Sequence, residues 1–160
     1  MQELYSPRTL SFPVPPWQSR PVVLIADDNS SLLELFQAIL ENDQYRVLTA
    51  VSGQIALDLA ERWMPDALVT DVAMPGLDGF GLIRAVRRLY PDLPAIVMTG
   101  ESHHRGRLVE EVAVEHGAVA TLAKPFDVFL LEEALRTVIP YRGAAVAPRG
   151  EEGSNGLNRR

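Results

Sequence analysis

The sequence predicts an α/β fold, a doubly wound sheet of five parallel strands with helices on both faces. Two observations predict it. Five short apolar runs alternate along the chain with five amphipathic segments whose apolar residues recur at the period of an α-helix. The runs are apolar at consecutive rather than alternate positions, as in parallel strands that are covered on both faces. Right-handed crossovers through the helices then give a single parallel sheet.

The first strand and helix follow residue 20. Residues 21–26 form a run that is apolar on both faces, which predicts a central strand. Asn29 or Ser30 can accept a hydrogen bond from the first turn of the next helix. The apolar residues of that helix have a period of 3.6, and residues 42–44 interrupt it.

The second and third strand–helix units follow the same pattern. Residues 45–50 are a shorter strand candidate, and the helix after them opens at Ser52. Met64–Pro65 ends this helix, because a residue before proline is disfavoured in the helical conformation. Residues 67–70 form a buried run that leads directly to a carboxylate, and residues 79–90 have the pattern of an amphipathic helix.

The last two units complete the sheet. Residues 95–98 are the fourth strand, and a less regular segment separates them from a helix near residues 108–116. Gly117 ends this helix, since glycine readily adopts the left-handed conformation after a helix. Residues 118–123 are the fifth strand, and residues 127–139 are the final helix.

Two segments flank the predicted domain at residues 21–140. Residues 1–20 hold four prolines among polar residues, which predicts an extended flexible leader. Residues 141–160 are predicted to be disordered, because they carry too little apolar surface to offset the entropy of ordering. We expect a stand-alone domain without a DNA-binding or enzymatic output domain after it.

Composition excludes several kinds of partner. The formal net charge is −6 and no basic patch is visible, which argues against nucleic-acid binding. Cysteine is absent, so disulfides and thiolate-held zinc are excluded. No signal peptide or apolar stretch of about 20 residues is present, so we expect a cytoplasmic protein without a membrane partner.

Polar residues directly follow four of the predicted strands. Asp27 and Asp28 follow the first strand, Asp71 the third, Thr99 the fourth and Lys124 the fifth. Because the carboxyl ends of parallel strands meet at one edge of the sheet, we expect these side chains to gather there. Three carboxylates repel one another at close range, and Mg²⁺, which prefers hard oxygen ligands, would relieve that repulsion.

This set of residues indicates phosphoryl chemistry. A magnesium ion with spare positions can hold a phosphoryl group, and Lys124 can neutralise another of its oxygens. Asp71 can then be the nucleophile, giving an aspartyl phosphate, while Thr99 offers a hydroxyl donor to a phosphoryl oxygen. Purely structural roles stay open as well, since Asp28 could cap the first helix and Lys124 could form an ion pair.

The same residues lie in motifs that resemble the receiver domain of bacterial two-component response regulators. Over roughly residues 20–140 these motifs are Asp27-Asp28, Asp71 with Met74-Pro75-Gly76 and Asp78-Gly79, Met98-Thr99-Gly100, and Lys124-Pro125-Phe126. The resemblance implies a flavodoxin-like (βα)5 fold with strand order 2-1-3-4-5. It also implies a phosphoprotein of signal transduction rather than an enzyme, which takes its phosphoryl group from a histidine kinase, a histidine phosphotransfer protein or a small phosphodonor.

The resemblance further implies a role for each site residue. Asp71 would be the phosphoacceptor, and Asp28, Asp71 and the backbone carbonyl of Ala73 would hold Mg²⁺, with Asp27 acting mainly through water. Thr99 and Lys124 would contact the phosphoryl oxygens, and the peptide bond from the lysine to the following proline would be cis. Phosphorylation would pull these two residues inwards and shift the neighbouring loops, so that the domain signals by protein contact.

The sequence departs from the family around the fourth helix and the fifth strand. Thr121 stands where the family usually carries a tyrosine or phenylalanine that acts as a rotating switch. The span from Thr99 to Lys124 is also longer than expected, with the excess near residues 103–107. The family commonly uses this face for output, so a phosphorylation-independent, receiver-like interaction module is the alternative function.

Two other functions are disfavoured. A phosphatase or dehalogenase-like hydrolase would also use an aspartate nucleophile, but such enzymes generally need a second acid two residues later, where this chain has Ala73. A nicotinamide-binding protein is excluded because no glycine-rich loop follows the first strand. The other histidines and arginines are given structural roles. His103 and His104 are predicted to be exposed in a loop, and Arg84, Arg87 and Arg88 to form the solvated face of a helix. His116 is predicted to place a favourable charge at a helix C-terminus.

Overall fold

The computed structural model describes residues 20–42 and 45–139. The predicted leader at residues 1–20, apart from Arg20, and the predicted tail at residues 141–160 lie outside the described residues. In chain order the elements are β1 (Val22–Ala26), α1 (Ser30–Asn42), β2 (Arg46–Ala50), α2 (Gly53–Trp63), β3 (Ala67–Asp71), α3 (Gly79–Leu89), β4 (Ala95–Thr99), β5 (His103–His104), β6 (Arg107–Leu108), α4 (Val109–Glu115), β7 (Ala120–Ala123) and α5 (Val128–Val138).

The main sheet has five parallel strands in the order β2-β1-β3-β4-β7. Strand β7 is the fifth strand of this sheet, because β5 and β6 pair only with each other, so the predicted order 2-1-3-4-5 is confirmed. The register aligns the carboxyl ends of the strands. Asp71 lies opposite Met98, and Thr99 lies opposite Ala123. The polar residues that follow the strands therefore share one edge of the sheet.

The core consists of two apolar layers, one on each face of the sheet. Successive residues of a strand point to opposite faces, so Leu24 belongs to one layer and Ile25 to the other. The first layer packs α2, α3 and α4 against the sheet and includes Phe80. The second layer packs α1 and α5 and includes Leu40 and Leu131. No helix within the described residues is long and apolar enough to cross a membrane.

The helix boundaries agree with the capping residues of the sequence. Asn29 accepts a hydrogen bond from the Leu32 amide through Oδ1 (3.2 Å), so it is the asparagine, of the two predicted candidates, that caps α1. Ser52 accepts from the Ile55 amide at the start of α2 (3.3 Å). That helix ends before Pro65, as predicted, and its C-cap residue Met64 has a φ of 46° in the left-handed region.

The connection between β4 and α4 differs from the prediction. The expected irregular segment contains an antiparallel hairpin, in which His103 pairs with Leu108 and His104 with Arg107. Its turn residues, Arg105 and Gly106, have φ of 50° and 79°, the positive values that two-residue hairpin turns require. Helix α4 is correspondingly short, at seven residues.

Three of the predicted surface groups are also more involved in packing than expected. Arg87 is half-buried and donates a hydrogen bond to the Gly117 carbonyl (2.7 Å), and an Arg84 nitrogen lies 2.9 Å from Nε2 of His116. These contacts tie α3 to the end of α4, so the prediction of a solvated arginine face is wrong for Arg87. His104 is half-buried against the ring of Phe80 and is not an exposed loop residue.

Candidate functional site

Three carboxylates meet at the carboxyl edge of the sheet. Asp27 and Asp28 follow β1, and Asp71 is the last residue of β3. One carboxylate oxygen from each lies within 4.8 Å of those of the other two. Asp27 and Asp71 are buried, whereas Asp28 is exposed, so the cluster opens to solvent on one side. The structure brings together the three acids that the sequence indicated.

Lys124 joins the acids from the other side of the site. Its Nζ donates a hydrogen bond to Oδ2 of Asp27 and lies 3.2 Å from Oδ1 of Asp71. Its backbone amide donates to the Thr99 carbonyl (2.7 Å), which anchors the residue beside β4. The Lys124–Pro125 peptide bond is cis, as the resemblance implied. The lysine is thus placed between two acids of the cluster.

The electrostatics of the site follow from burial and from these contacts. Burial raises the pKa of Asp71 above its ordinary value, and although Lys124 lowers it, the charges of Asp27 and Asp28 raise it further, so the net shift is upward. Burial alone would lower the pKa of Lys124, but its contacts with Asp27 and Asp71 outweigh that effect and raise it. The lysine is therefore an ammonium ion in a site that carries an excess of negative charge.

The donor set suits a magnesium ion. Magnesium binds oxygen ligands at about 2.1 Å in an octahedron, so opposing ligand atoms lie about 4.2 Å apart. The spacing of the three carboxylates, up to 4.8 Å, is close to that value. Burial and then the charges of Asp27 and Asp28 raise the pKa of Asp71, and a divalent cation would compensate the repulsion among these acids. The observed residues therefore fit the metal that the sequence predicted.

Thr99 lies at the same edge, but its hydroxyl is engaged elsewhere. Oγ1 donates a hydrogen bond to the Glu101 carbonyl (2.9 Å) and accepts one from the Glu101 amide (3.0 Å). The side chain is largely buried. The structure thus brings Thr99 to the predicted edge and shows its hydroxyl held by the backbone two residues ahead. No pattern in the sequence indicates this role of the Glu101 backbone.

The loop after Asp71 is held tightly by the start of α3. The amides of Met74 and Gly79 both donate to the Val72 carbonyl (3.2 and 3.0 Å), which folds the loop back on itself. Ala73 is exposed in this loop. A Cβ atom on Gly79 would lie only 2.1 Å from the Asp71 carbonyl oxygen, so this position requires glycine. The sequence contained Asp78-Gly79 as a motif but gave no reason for the glycine.

Replacement of Asp71 with asparagine is expected to raise Tm by a few degrees at neutral pH in the presence of EDTA. The folded chain binds a proton on Asp71 more tightly than the unfolded chain does, so stability falls as pH rises from the ordinary aspartate pKa through the raised one. The gain should therefore disappear at about pH 3 and below, where the carboxyl is protonated in both states, and shrink when Mg²⁺ is added. Thermal unfolding followed by circular dichroism measures it, and an asparagine variant with a lower Tm than the parent in EDTA would contradict the expectation.

Comparison with known proteins gives a consistent result. The family described as the response regulator receiver domain matches residues 23–136. The transcriptional regulatory protein PrrA of Mycobacterium leprae is 34% identical over 133 residues, which are 83% of this chain and 56% of that protein. The chain thus spans about half the length of this regulator.

Two shorter proteins match along nearly their whole length. Sporulation initiation phosphotransferase F of Bacillus subtilis is 27% identical over 120 residues, which cover 75% of this chain and 94% of that protein. Among solved structures, the chemotaxis protein CheY4 of Vibrio cholerae superposes with a TM-score of 0.69 at 30% identity, covering 75% of this chain and 99% of that one. The fold and the acidic edge of the sheet are therefore shared with proteins of this size.

Proposed function

This chain belongs to the response regulator receiver family, whose members are signalling modules rather than enzymes, and from that premise we propose that it is phosphorylated on Asp71. The observation that carries the proposal is the meeting of Asp71 with Asp27, Asp28 and Lys124 at one edge of the sheet. The donor of the phosphoryl group is a histidine kinase, a histidine phosphotransfer protein or a small acyl phosphate. The Bacillus relative, named as a phosphotransferase, supports a place in a two-component system or phosphorelay.

The reaction is a transfer of the phosphoryl group between two nucleophiles. A carboxylate oxygen of Asp71 attacks the phosphorus, a new P–O bond forms, and the bond to the donor breaks. With acetyl phosphate the leaving group is acetate, and with phosphohistidine the imidazole takes a proton from solvent as it leaves. Burial, followed by the charges of Asp27 and Asp28, raises the pKa of Asp71, so a bound cation would favour the carboxylate form that attacks the phosphorus.

The other residues stabilise charge around the transferred group. Asp28, Asp71 and the carbonyl of Ala73 would hold Mg²⁺, which when bound neutralises the negative charge of the phosphoryl oxygens. The Lys124 ammonium, which already lies 3.2 Å from Asp71, can turn to a phosphoryl oxygen as that oxygen arrives. Thr99 can donate its hydroxyl to another phosphoryl oxygen only after it leaves the Glu101 carbonyl. In the proposed switch, the Thr99 hydroxyl exchanges the Glu101 carbonyl for a phosphoryl oxygen, which rearranges the loop after β4.

The output of this rearrangement is contact with a protein partner. The rearranged loop leads into the hairpin and α4, so the change in Thr99 reaches that surface directly. Thr121 in β7 is half-buried and, by the resemblance, stands where the family usually carries an aromatic residue, so the proposed change passes through the loop after β4. We assign no DNA-binding activity to the chain, since it matches only about half of the regulator PrrA.

The experiment that tests this function is phosphorylation with acetyl phosphate and Mg²⁺, followed by intact mass spectrometry. We expect the mass of the parent protein to increase by one phosphate. The mass should not increase in the Asp71→Asn variant, or in the parent when EDTA is present during the incubation. A parent that takes up no phosphate from acetyl phosphate or from a histidine kinase would favour the alternative, a receiver-like module that binds its partner without phosphorylation. A gain that persists in Asp71→Asn would show that another residue is the acceptor.

A further inference from the structure

The β5–β6 hairpin spans the two loops that border Asp71. It begins shortly after Thr99, on the loop that follows β4. The residues around its turn lie against Asp78, the last residue of the loop that follows β3. Nε2 of His104 is 3.9 Å from Oδ2 of Asp78, and a terminal nitrogen of Arg105, whose side chain is 81% exposed, is 3.7 Å from the same oxygen. The hairpin therefore links the loop of Thr99 to the loop of Asp71.

His104 of this hairpin packs against the start of α3. Its ring meets the ring of Phe80 edge to face, with centroids 5.1 Å apart and an angle of 70°. Phe80 is buried at the start of α3 and also contacts the ring of His116, at 4.9 Å. The side chain of His104 is 19% exposed, so it is packed rather than solvated. The hairpin is thus held by packing as well as by its contacts with Asp78.

The two carboxylate oxygens of Asp78 make different contacts. Oδ1 accepts a hydrogen bond from the Gly81 amide (2.7 Å) and caps α3, while Oδ2 faces the hairpin. The next residue, Gly79, donates to the Val72 carbonyl and lies against the backbone of Asp71. Asp78 therefore stands at the end of residues 72–78, the loop that passes the phosphoacceptor and includes Ala73, whose carbonyl we assign to Mg²⁺.

The rest of the hairpin is fixed to α4. Arg107 makes two hydrogen bonds to the carboxylate of Glu115, at 2.8 and 2.6 Å. The Val109 amide donates to the Ser102 carbonyl (3.0 Å), which closes the base of the hairpin. A movement of the hairpin would therefore be shared with α4, and the Glu101 backbone that holds the Thr99 hydroxyl lies two residues before it.

We propose that the β5–β6 hairpin is a positioning element for phosphorylation, in which His104 and Arg105 hold Asp78 and thereby fix the loop of residues 72–78 beside Asp71. The inference rests on the proposed function, because it concerns the rate of that same reaction. Both residues act through Asp78, so they are positioning residues and not catalytic ones. Release of the hairpin would loosen the loop that supplies the Ala73 carbonyl, which slows phosphoryl transfer at saturating donor.

The test uses a double variant, His104→Phe with Arg105→Ala. Phenylalanine keeps the edge-to-face contact with Phe80 but loses the imidazole nitrogen that faces Asp78, and alanine removes the guanidinium. The matched control is Arg107→Ala, which alters the opposite strand of the hairpin and its exposed pair with Glu115. Initial rates of phosphate gain, measured against acetyl phosphate concentration with Mg²⁺ in excess, separate the saturating rate from the half-saturating concentration.

We expect the double variant to lose about threefold to tenfold in saturating rate, less than the loss for a residue that directly supports a metal ligand. Its half-saturating concentration and its Tm should match those of Arg107→Ala, which should keep the parent rate. Asp78→Asn keeps an oxygen for the Gly81 amide but loses the charge, so we expect it to slow the parent and to add no further loss to the double variant.

Three results would overturn the inference. An unchanged saturating rate in the double variant shows that the hairpin does not position the loop, and an equal loss in Arg107→Ala shows a general effect of disturbing the hairpin. Fully additive losses of the double variant and Asp78→Asn show that they act separately. A parent that takes up no phosphate overturns the proposed function itself. Equal rates in a phosphorylated parent and in the double variant overturn the positioning role alone.

Discussion

Replacement of Lys124 with alanine is expected to lower the free energy of unfolding by about 3 kcal/mol when no divalent cation is present. The ammonium group donates to Asp27, whose side chain is 1% exposed, and lies 3.2 Å from Asp71. Its removal leaves a buried carboxylate without this cationic partner. Urea denaturation in EDTA, followed by circular dichroism, measures the loss.

The loss should depend on pH and on magnesium. Lys124 lowers the pKa of Asp71, so without it that pKa rises further, and the variant becomes less stable as pH rises through the higher value. Added Mg²⁺ should stabilise the variant more than the parent, because the ion replaces the missing positive charge.

The control for this prediction is Arg107→Ala, which removes an exposed ion pair and should change the urea midpoint little. A Lys124→Ala protein that is as stable as the parent in EDTA would contradict the prediction. Such a result would mean that the contacts of Lys124 with Asp27 and Asp71 contribute little to stability.

Replacement of Gly79 with alanine is expected to disturb both the fold and the phosphoacceptor. The added Cβ would lie 2.1 Å from the Asp71 carbonyl oxygen and 3.0 Å from the Val72 Cα, and these backbone atoms have no free rotation by which to move away. Either α3 or the end of β3 must shift. We expect a loss of about 2–3 kcal/mol in the free energy of unfolding, typical of overpacking in a tight site.

The same substitution should slow phosphorylation more than its effect on stability would suggest. A displacement of about 1 Å at a reacting group costs up to about 100-fold in rate. Intact mass spectrometry at temperatures well below the Tm of the variant separates this effect from unfolding. Gly100→Ala is the matched control, because its Cβ meets no atom within 4 Å and it should retain the parent stability. A Gly79→Ala protein with parent stability and parent rate would show that α3 moves without cost.

Much of the fold could be predicted from the order of residues along the chain. Continuous apolar runs such as the one leading to Asp71 identify strands covered on both faces, and capping residues such as Ser52 and breakers such as Pro65 mark the helix ends. The acidic site could be predicted for the same reason. Parallel strands present their carboxyl ends at one edge, so polar residues that follow the strands are brought together by the topology alone.

The hairpin could not be predicted in this way. Its two strands have two residues each, too few for an alternating pattern to be recognised, and its turn is indicated only by the Arg105-Gly106 pair. The role of Arg87 was missed for a related reason. Its spacing on α3 is that of a solvated face, but the carbonyl it contacts belongs to Gly117, which lies 30 residues further along the chain.

The sequence by itself determined the elements, the parallel sheet and the set of residues at its carboxyl edge, because these depend on local periodicity and on the direction of the strands. Only the tertiary structure decided which partner each polar group takes. It pairs Lys124 with Asp27 as well as Asp71, turns the Thr99 hydroxyl to the Glu101 backbone, and lays the hairpin against Asp78. These pairings depend on distances of a few ångströms between side chains far apart in the chain, which no local pattern specifies.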